Sequence, residues 1–120
     1  MLKIEFLEEK KILHVFTGGF IQRDEGLDIL NKLKQTFQSM DTSKYYFILD
    51  SGEFKAAFQK DLDVLEEILE LYAKTPFLKK FFILPENILA KIQAKKLDKT
   101  NLPNDIIEVN SYEEVLSMIK

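Results

Sequence analysis

The chain has 120 residues, 46% of them hydrophobic and 31% charged, with a net charge of -3 and no cysteine. This composition predicts one globular domain over residues 1–120 that is large enough to bury a core. The negative charge gives no basis for nucleic-acid binding, which needs a basic surface. Without cysteine, disulfides, thiolate metal sites and cysteine nucleophiles are excluded, and a reducing compartment is favoured.

The hydropathy pattern predicts neither a transmembrane segment nor an export signal. The longest apolar run is too short to span a bilayer, and "MLKIEFLEEKK" has acidic residues where a signal peptide needs an apolar run. All but one of the 17 basic residues are lysine, which is typical of an AT-rich coding genome. We therefore expect a cytoplasmic, bacterial protein.

The first predicted elements are two strands joined as a β-hairpin. Leu2, Ile4 and Phe6 alternate with charged residues, which is typical of a half-solvated strand. After the polar break at Glu8–Lys11, the stretch Ile12–Thr17 is apolar on both faces. The second strand should therefore lie inside the sheet and the first at its edge.

A glycine turn and a helix follow. Gly18 and Gly19 end the second strand, and a turn that needs positive φ explains both glycines. The residues around them match neither a P-loop nor a dinucleotide-binding pattern. An amphipathic helix is predicted over Asp24–Met40. Its apolar residues at helical spacing are Leu27, Leu30, Leu33, Phe37 and Met40.

The second half alternates strands and helices. The predicted elements are strand Tyr45–Leu49, helix Asp61–Ala73, strand Phe81–Leu84, helix Glu86–Leu97, loop Asp98–Asp105, strand Ile106–Val109, and a last helix opened by a Ser111/Glu114 capping box. Three strand–helix–strand crossovers imply parallel neighbouring strands. The predicted fold is α/β: a mixed, mostly parallel sheet of about five strands, opened by the hairpin, with four helices.

The residues available for catalysis are few. His14 is the lone histidine, so a catalytic triad or a multi-histidine metal site is impossible, and we expect no metal, cofactor or catalytic residue. His14 alternates with Ile12 and Phe16 on a packed face. It is interpreted as a hydrogen-bonded structural histidine, with a ligand contact as the alternative.

The junction Asp50-Ser51-Gly52 is the main candidate site. It ends a buried strand at the carboxyl edge, where open α/β sheets place their sites. In a receiver domain, the acceptor Asp is accompanied by an acidic pair and a lysine at the ends of other strands. Here Lys79-Lys80 come before the core of the predicted strand and not after it, so the receiver interpretation is not favoured. A structural Asp50 that caps the turn is favoured.

The second helix carries more apolar residues than one sheet contact needs. They are Leu62, Val64, Leu65, Ile68, Leu69, Leu71 and Tyr72. Either neighbouring helices cover the excess, or a partner or a second copy does. Phe54 and Phe58 in the preceding loop add to this surface or close over the core. The opposite face is acidic and solvated, with Asp63, Glu66, Glu67 and Glu70.

A basic cluster lies on and after the third predicted helix. It consists of Lys91, Lys95, Lys96 and Lys99. It is interpreted as solvated surface, with contact to anionic lipid as the alternative.

The hairpin, "YYFILDSGEF", "FFILPEN" and "IIEVNSYEEVLSMIK" together resemble the STAS superfamily, the domain of sulfate transporters and anti-sigma-factor antagonists, and particularly its SpoIIAA-like branch. The resemblance covers nearly the whole chain. It implies a partner that docks on the loop Ser51–Lys60 and the start of the second helix. Antagonist members carry a phosphorylatable serine there, whereas this chain reads "FQKDLDVL", with Asp61 near the N-cap. No phosphorylation switch is expected, and Asp61 is expected to cap the helix.

The leading hypothesis is a non-enzymatic STAS-like regulatory or protein-interaction domain. Its expected binding residues are Asp50, Ser51, Gly52, Phe54, Phe58 and Asp61. The alternative is a SpoIIAA-like module for a small apolar ligand or lipid, in which some of the ten Phe residues line a cavity. An enzyme ranks third, because carboxylates and lysines are the side chains left for catalysis.

Overall fold

The chain folds around a five-stranded sheet, and the computed structural model describes residues 2–57, 61–87, 90, 92 and 106–119. The strands are β1 Leu2–Leu7, β2 Ile12–Thr17, β3 Gly19–Ile21, β4 Tyr46–Asp50, β5 Phe54–Ala57, β6 Lys79–Ile83 and β7 Ile106–Val109. The α-helices in the described ranges are α1 Arg23–Gln38, α2 Leu62–Lys74 and α3 Tyr112–Ile119, and Thr42–Lys44 form a 3₁₀ turn.

The main sheet has the order β1-β2-β4-β6-β7. β1 runs antiparallel to β2, with Leu2 opposite Thr17 and Leu7 opposite Ile12, and the other neighbours are parallel. The predicted hairpin, the edge position of β1 and the mixed, mostly parallel α/β sheet are confirmed.

Both faces of the sheet are covered by helices. One face packs against α1 and α2 in a core that includes Leu13, Phe47, Phe82, Leu33 and Tyr72. The residues of opposite parity form a second core with α3, which includes Ile12, Ile48, Phe81, Val109 and Val115. This double burial explains why β2, β4 and β6 carry apolar residues on both faces.

Helices α1 and α2 approach each other closely at Gly26. A Cβ at this position would lie 2.7 Å from Cγ1 of Val64, so a glycine is needed for the observed spacing. The C-terminal end of α2 is held to β6, because Tyr72 Oη donates to the carbonyl of Phe81 at 2.7 Å and Lys80 Nζ donates to that of Ala73 at 2.6 Å. The two helices therefore sit as one layer on the sheet.

Several details of the prediction are wrong. The turn after β2 and the loop after β4 contain two further strands, β3 and β5, which pair in parallel as a small second sheet. Lys80 lies inside β6 and is buried, because its long side chain reaches a carbonyl at the end of α2. Leu27 is exposed, and Gly26 and Ile29 occupy the buried face of α1 instead.

The predicted fourth helix, Glu86–Leu97, lies mostly outside the described residues. All of the loop Asp98–Asp105 and all of the lysine cluster Lys91, Lys95, Lys96 and Lys99 lie outside them. The last helix begins as predicted, since the Glu114 N–H donates to Ser111 Oγ at 3.2 Å. Its reciprocal bond is shifted by one residue: Glu114 Oε1 accepts from the N–H of Asn110. Within the described ranges, no helix has the length and apolarity to cross a membrane.

Candidate functional site

Asp50 ends β4 with both carboxylate oxygens bonded inside the protein. Oδ1 accepts from the N–H of Gly52 at 3.1 Å, which closes the tight turn expected of an aspartate two residues before a glycine. Oδ2 lies 3.0 Å from Nε2 of His14 on the neighbouring strand β2. The prediction that Asp50 caps the turn is confirmed.

His14 is a buried structural histidine, as predicted. Besides its bond to Asp50, its ring stacks on that of Tyr112 at 4.9 Å and leans on that of Phe16 at 4.1 Å. Burial raises the pKa of Tyr112, and the nearby carboxylate of Glu5 adds to the shift. Through its contacts with Asp50 and Tyr112, His14 connects β2 to β4 and to the start of α3.

Ser51 and Gly52 are held by the strands around them. The side chain of Ser51 is buried, its Oγ lies 3.4 Å from Oγ1 of Thr17, and its N–H donates to the carbonyl of Ile83 at 3.2 Å. The carbonyl of Gly52 accepts from the N–H of Glu86 at 3.1 Å. The junction is thus a packed connection whose polar groups face inward.

The apolar cavity beneath the junction is small. It holds about 50 Å³ and lies between the sheet, α1 and α2. Its lining is mostly apolar and includes Ile21, Leu49, Phe54 and Leu65, with the Thr17 hydroxyl beside them. This volume admits a few water molecules and falls well below the 300 Å³ or so typical of a ligand pocket.

Of the two phenylalanines predicted in the loop, Phe54 is buried and lines this cavity, so it closes over the core. Phe58 lies outside the described residues.

Asp61 does not cap α2. It occupies the N-cap position without a side-chain bond to the helix backbone, and its Oδ1 lies 3.4 Å from Nε of Arg23. Nη2 of Arg23 also bonds to Oδ1 of Asp63 at 2.6 Å. The capping expectation for Asp61 is wrong because a guanidinium from α1 competes for the carboxylate.

The arginine changes the titration of its neighbour. The hydrogen bond from Arg23 lowers the pKa of Asp63 below its ordinary value of 3.8, and Asp63 in turn raises the pKa of Arg23. Arg23 was not singled out from the sequence, because pairing it with the second helix requires knowing that the two helix N-termini meet.

The excess apolar surface predicted on α2 is covered. Val64, Ile68, Leu69 and Tyr72 are buried in the core shared with α1 and the sheet. Leu62, Leu65 and Leu71 are partly buried and pack against the same core. Neighbouring elements therefore account for the apolar face of α2, while Asp63, Glu66, Glu67 and Glu70 are exposed as predicted.

The surface above the junction is formed by β3 and β5. Gly19 opens β3 with φ +74°, and its N–H donates to the carbonyl of Glu53 at 3.0 Å. The next residue, Phe20, is 64% exposed. Gly19 also lines an open depression of about 400 Å³, together with Gly52, Glu53, Phe54, Lys55, Glu86 and Asn87. We call these residues, together with Phe20, the junction surface.

Phe20 is the functional candidate that sequence reasoning missed. The glycines before it indicated only a turn, and the exposure of an aromatic residue there depends on the unpredicted pairing of β3 with β5. Among the residues that the structure describes, no group of three or more His, Cys, Asp or Glu side chains is placed to hold a metal ion.

Two solved structures share this fold. An uncharacterized protein of the DUF3478 family with a SpoIIAA-like fold, from Shewanella loihica PV-4, is 12% identical, with a TM-score of 0.68 over 100% of this chain and 93% of that one. The Bacillus cell fate determinant SpoIIAA in its phosphorylated form is 15% identical, with a TM-score of 0.61 over 100% of both chains. The resemblance to the SpoIIAA-like branch is thus confirmed at the level of the fold.

No family model matches the sequence, and no curated protein is significantly similar to it.

Proposed function

We propose that this chain is a non-enzymatic regulatory domain that binds a protein partner through the junction surface. The observation that carries the proposal is Phe20, a large apolar side chain that is 64% exposed on the short β3–β5 sheet. Aromatic residues are enriched at protein-binding surfaces, and Phe20 is the most exposed of the described large hydrophobic residues. The SpoIIAA-like fold supports the same reading, and a cytoplasmic location in a bacterium is part of it.

The bonding of the junction favours binding over catalysis. General acid–base chemistry needs a carboxylate or hydroxyl directed at a substrate. Asp50 instead uses both oxygens within the protein, and the Ser51 hydroxyl faces Thr17 in the interior. The charged side chains of the junction surface, such as Glu53 and Lys55, are exposed to solvent, where they can contact a partner.

The proposal does not include a phosphorylation switch at the junction. Ser51 is only 6% exposed, so a kinase could reach its hydroxyl only after the turn had opened. At the start of α2, the described residues Asp61, Leu62 and Asp63 include no serine or threonine, and both carboxylates are paired with Arg23. The proposed partner contact therefore does not depend on phosphorylation at this position.

Affinity capture from the source organism tests the proposal. Phe20→Asp should abolish capture of the partner, because it places a charge at the centre of the apolar contact. Leu78→Asp is the matched control: Leu78 is 52% exposed but lies just before β6, at the amino ends of the parallel strands. Equal capture by both variants, or no specific capture by the wild type, would overturn the proposal.

A second candidate is a module for a small apolar ligand, and the apolar cavity beneath the junction favours it. The cavity of about 50 Å³ would have to expand to take even a benzene-sized molecule, since engineered cavities that bind benzene are near 150 Å³. Native mass spectrometry of freshly purified protein separates the two candidates. A retained apolar adduct that Leu65→Phe displaces supports this one, whereas the bare chain mass contradicts it.

A further inference from the structure

The outer edge of β1 is free within the described part of the chain. β1 pairs with β2 on one side and has no strand on the other. The N–H of Tyr46 donates to the carbonyl of Lys11, so the odd-numbered residues of β2 bond to β4 and its even-numbered ones to β1. By the register, those even-numbered residues pair with the odd-numbered residues of β1. The N–H and C=O groups of Ile4 and Phe6 therefore point away from the sheet.

The side chains along this edge form a pattern that is complementary to itself. Lys3 and Glu5 lie on the α3 face with side-chain exposures of 65% and 40%, and their charged atoms are 3.6 Å apart. Ile4 lies between them on the other face, flanked by Leu2 and Phe6, and Phe6 is 44% exposed. One positive and one negative side chain thus stand one residue to either side of Ile4.

We propose that β1 is a self-association edge, on which a second copy of this chain pairs antiparallel about a two-fold axis through Ile4. In this register Ile4 faces Ile4 of the second copy, through the backbone groups that point outward. Lys3 then faces Glu5 of the second copy twice, and Leu2 faces Phe6. Opposite charges therefore pair on one face of the joined sheet and apolar side chains on the other.

The charges also select this register over its neighbours. An axis through Lys3 would place two ammonium groups directly opposite each other, and an axis through Glu5 would do the same with two carboxylates. Like charges in cross-strand positions are unfavourable. A lysine alone on an edge strand discourages pairing, but Glu5 two residues on converts the repulsion into attraction.

This edge belongs to β1 and is separate from the junction surface, so a dimer could form whether or not the junction surface binds a partner. A strand-to-strand contact of this length is a small interface. We therefore expect a reversible dimer with a micromolar Kd.

Sedimentation analysis over about 1 µM to 1 mM protein tests the dimer. Lys3→Glu and Glu5→Lys should each weaken dimerisation at least about tenfold, because every cross-strand pair becomes a like-charge pair. Mixing these two variants should restore association as a heterodimer. The Lys3→Glu chain carries carboxylates at positions 3 and 5, and these face the ammonium groups at positions 5 and 3 of the Glu5→Lys chain. The double variant K3E/E5K should dimerise like the wild type.

The matched controls are Lys10→Glu and Glu9→Lys, which make the same charge changes at exposed positions in the β1–β2 turn and should leave the Kd unchanged. A wild type that stays monomeric at the highest concentration overturns the proposal. So does a mixture that behaves as the sum of its two components. Thermal unfolding confirms that each variant is folded, and if a single variant is not, the wild-type series and K3E/E5K still decide.

Discussion

At the scale of single residues, the Asp50 carboxylate connects two strands and a turn. It accepts from Gly52 and contacts His14, and Gly52 has little space to spare, because a Cβ there would lie 3.3 Å from Asp50 Oδ1. The ring stack of His14 on Tyr112 extends the connection to α3. These contacts explain why a carboxylate stands at the end of this strand.

We predict that Asp50→Ala lowers the free energy of unfolding by about 2–4 kcal/mol, because it leaves the Gly52 N–H and the His14 ring without their acceptor. Asp50→Asn should cost about half as much, since the amide oxygen still accepts from Gly52. Urea unfolding of both variants measures the difference. Asp28→Ala, at an exposed position on α1, is the control and should stay within about 0.5 kcal/mol of the wild type. An Asp50→Ala variant as stable as this control would contradict the structural role.

The sequence was sufficient to predict the role of Asp50 in its turn, because Asp50 and Gly52 are two residues apart. It predicted a hydrogen-bonded His14 from strand alternation but could not name the partner. His14 and Asp50 are 36 residues apart, and they meet only because β2 and β4 pair in one particular register.

At the scale of elements, the approach of α1 to α2 determines how the helical layer sits on the sheet. Gly26 provides the space, Val64 fills it, and Arg23 links the N-terminal ends of both helices through Asp61 and Asp63. Packing and charge therefore act at neighbouring points of one interface.

We predict that Gly26→Ala destabilises the protein by about 1–2 kcal/mol, although the same change in an exposed helix stabilises by about 1 kcal/mol. The added Cβ would lie 2.7 Å from Cγ1 of Val64, and overpacking outweighs helix propensity. In a Val64→Ala background the obstruction is gone, so Gly26→Ala should become neutral or stabilising. A double-mutant cycle measured by urea unfolding gives the result. The same sign in both backgrounds would show that the helices are not in close contact here.

We also predict that Arg23→Gln raises the pKa of Asp63 toward 3.8, because the hydrogen bond that lowers it is removed. Since the pKa of Asp63 is depressed in the folded state, the pair stabilises the fold above pH 4 or so and loses this effect as the pH falls through the folded-state pKa. The stability difference between wild type and Arg23→Gln should thus shrink in acid. NMR titration of the Asp63 carboxyl provides the measurement, with Arg23→Lys as the charge-retaining control. An Asp63 pKa unaffected by Arg23→Gln would contradict the contact.

Most elements followed from apolar periodicity, which identified the strands of the main sheet and the helices α1, α2 and α3 to within a few residues. Two features did not. β3 and β5 are short, and each exists only because the other lies beside it. Lys80 is polar by sequence but buried, because a helix end supplies the carbonyl that its ammonium group needs.

At the scale of the whole molecule, two features of the three-layer fold carry our proposals: Phe20 on the junction surface, and the edge of β1 that is free in the described part of the chain. The first depends on a second sheet that no local pattern revealed. The second follows from the predicted edge position of β1, but the outward direction of the Ile4 and Phe6 backbone groups depends on the register of β1 with β2.

The most direct test of the partner-binding account is hydrogen–deuterium exchange of the chain with and without the protein that it captures. We predict slower exchange on binding for residues 19–21 and 52–55, with little change at the 3₁₀ turn Thr42–Lys44 at the opposite end of β4. Protection confined to that opposite end, or to the exposed face of α2, would contradict it.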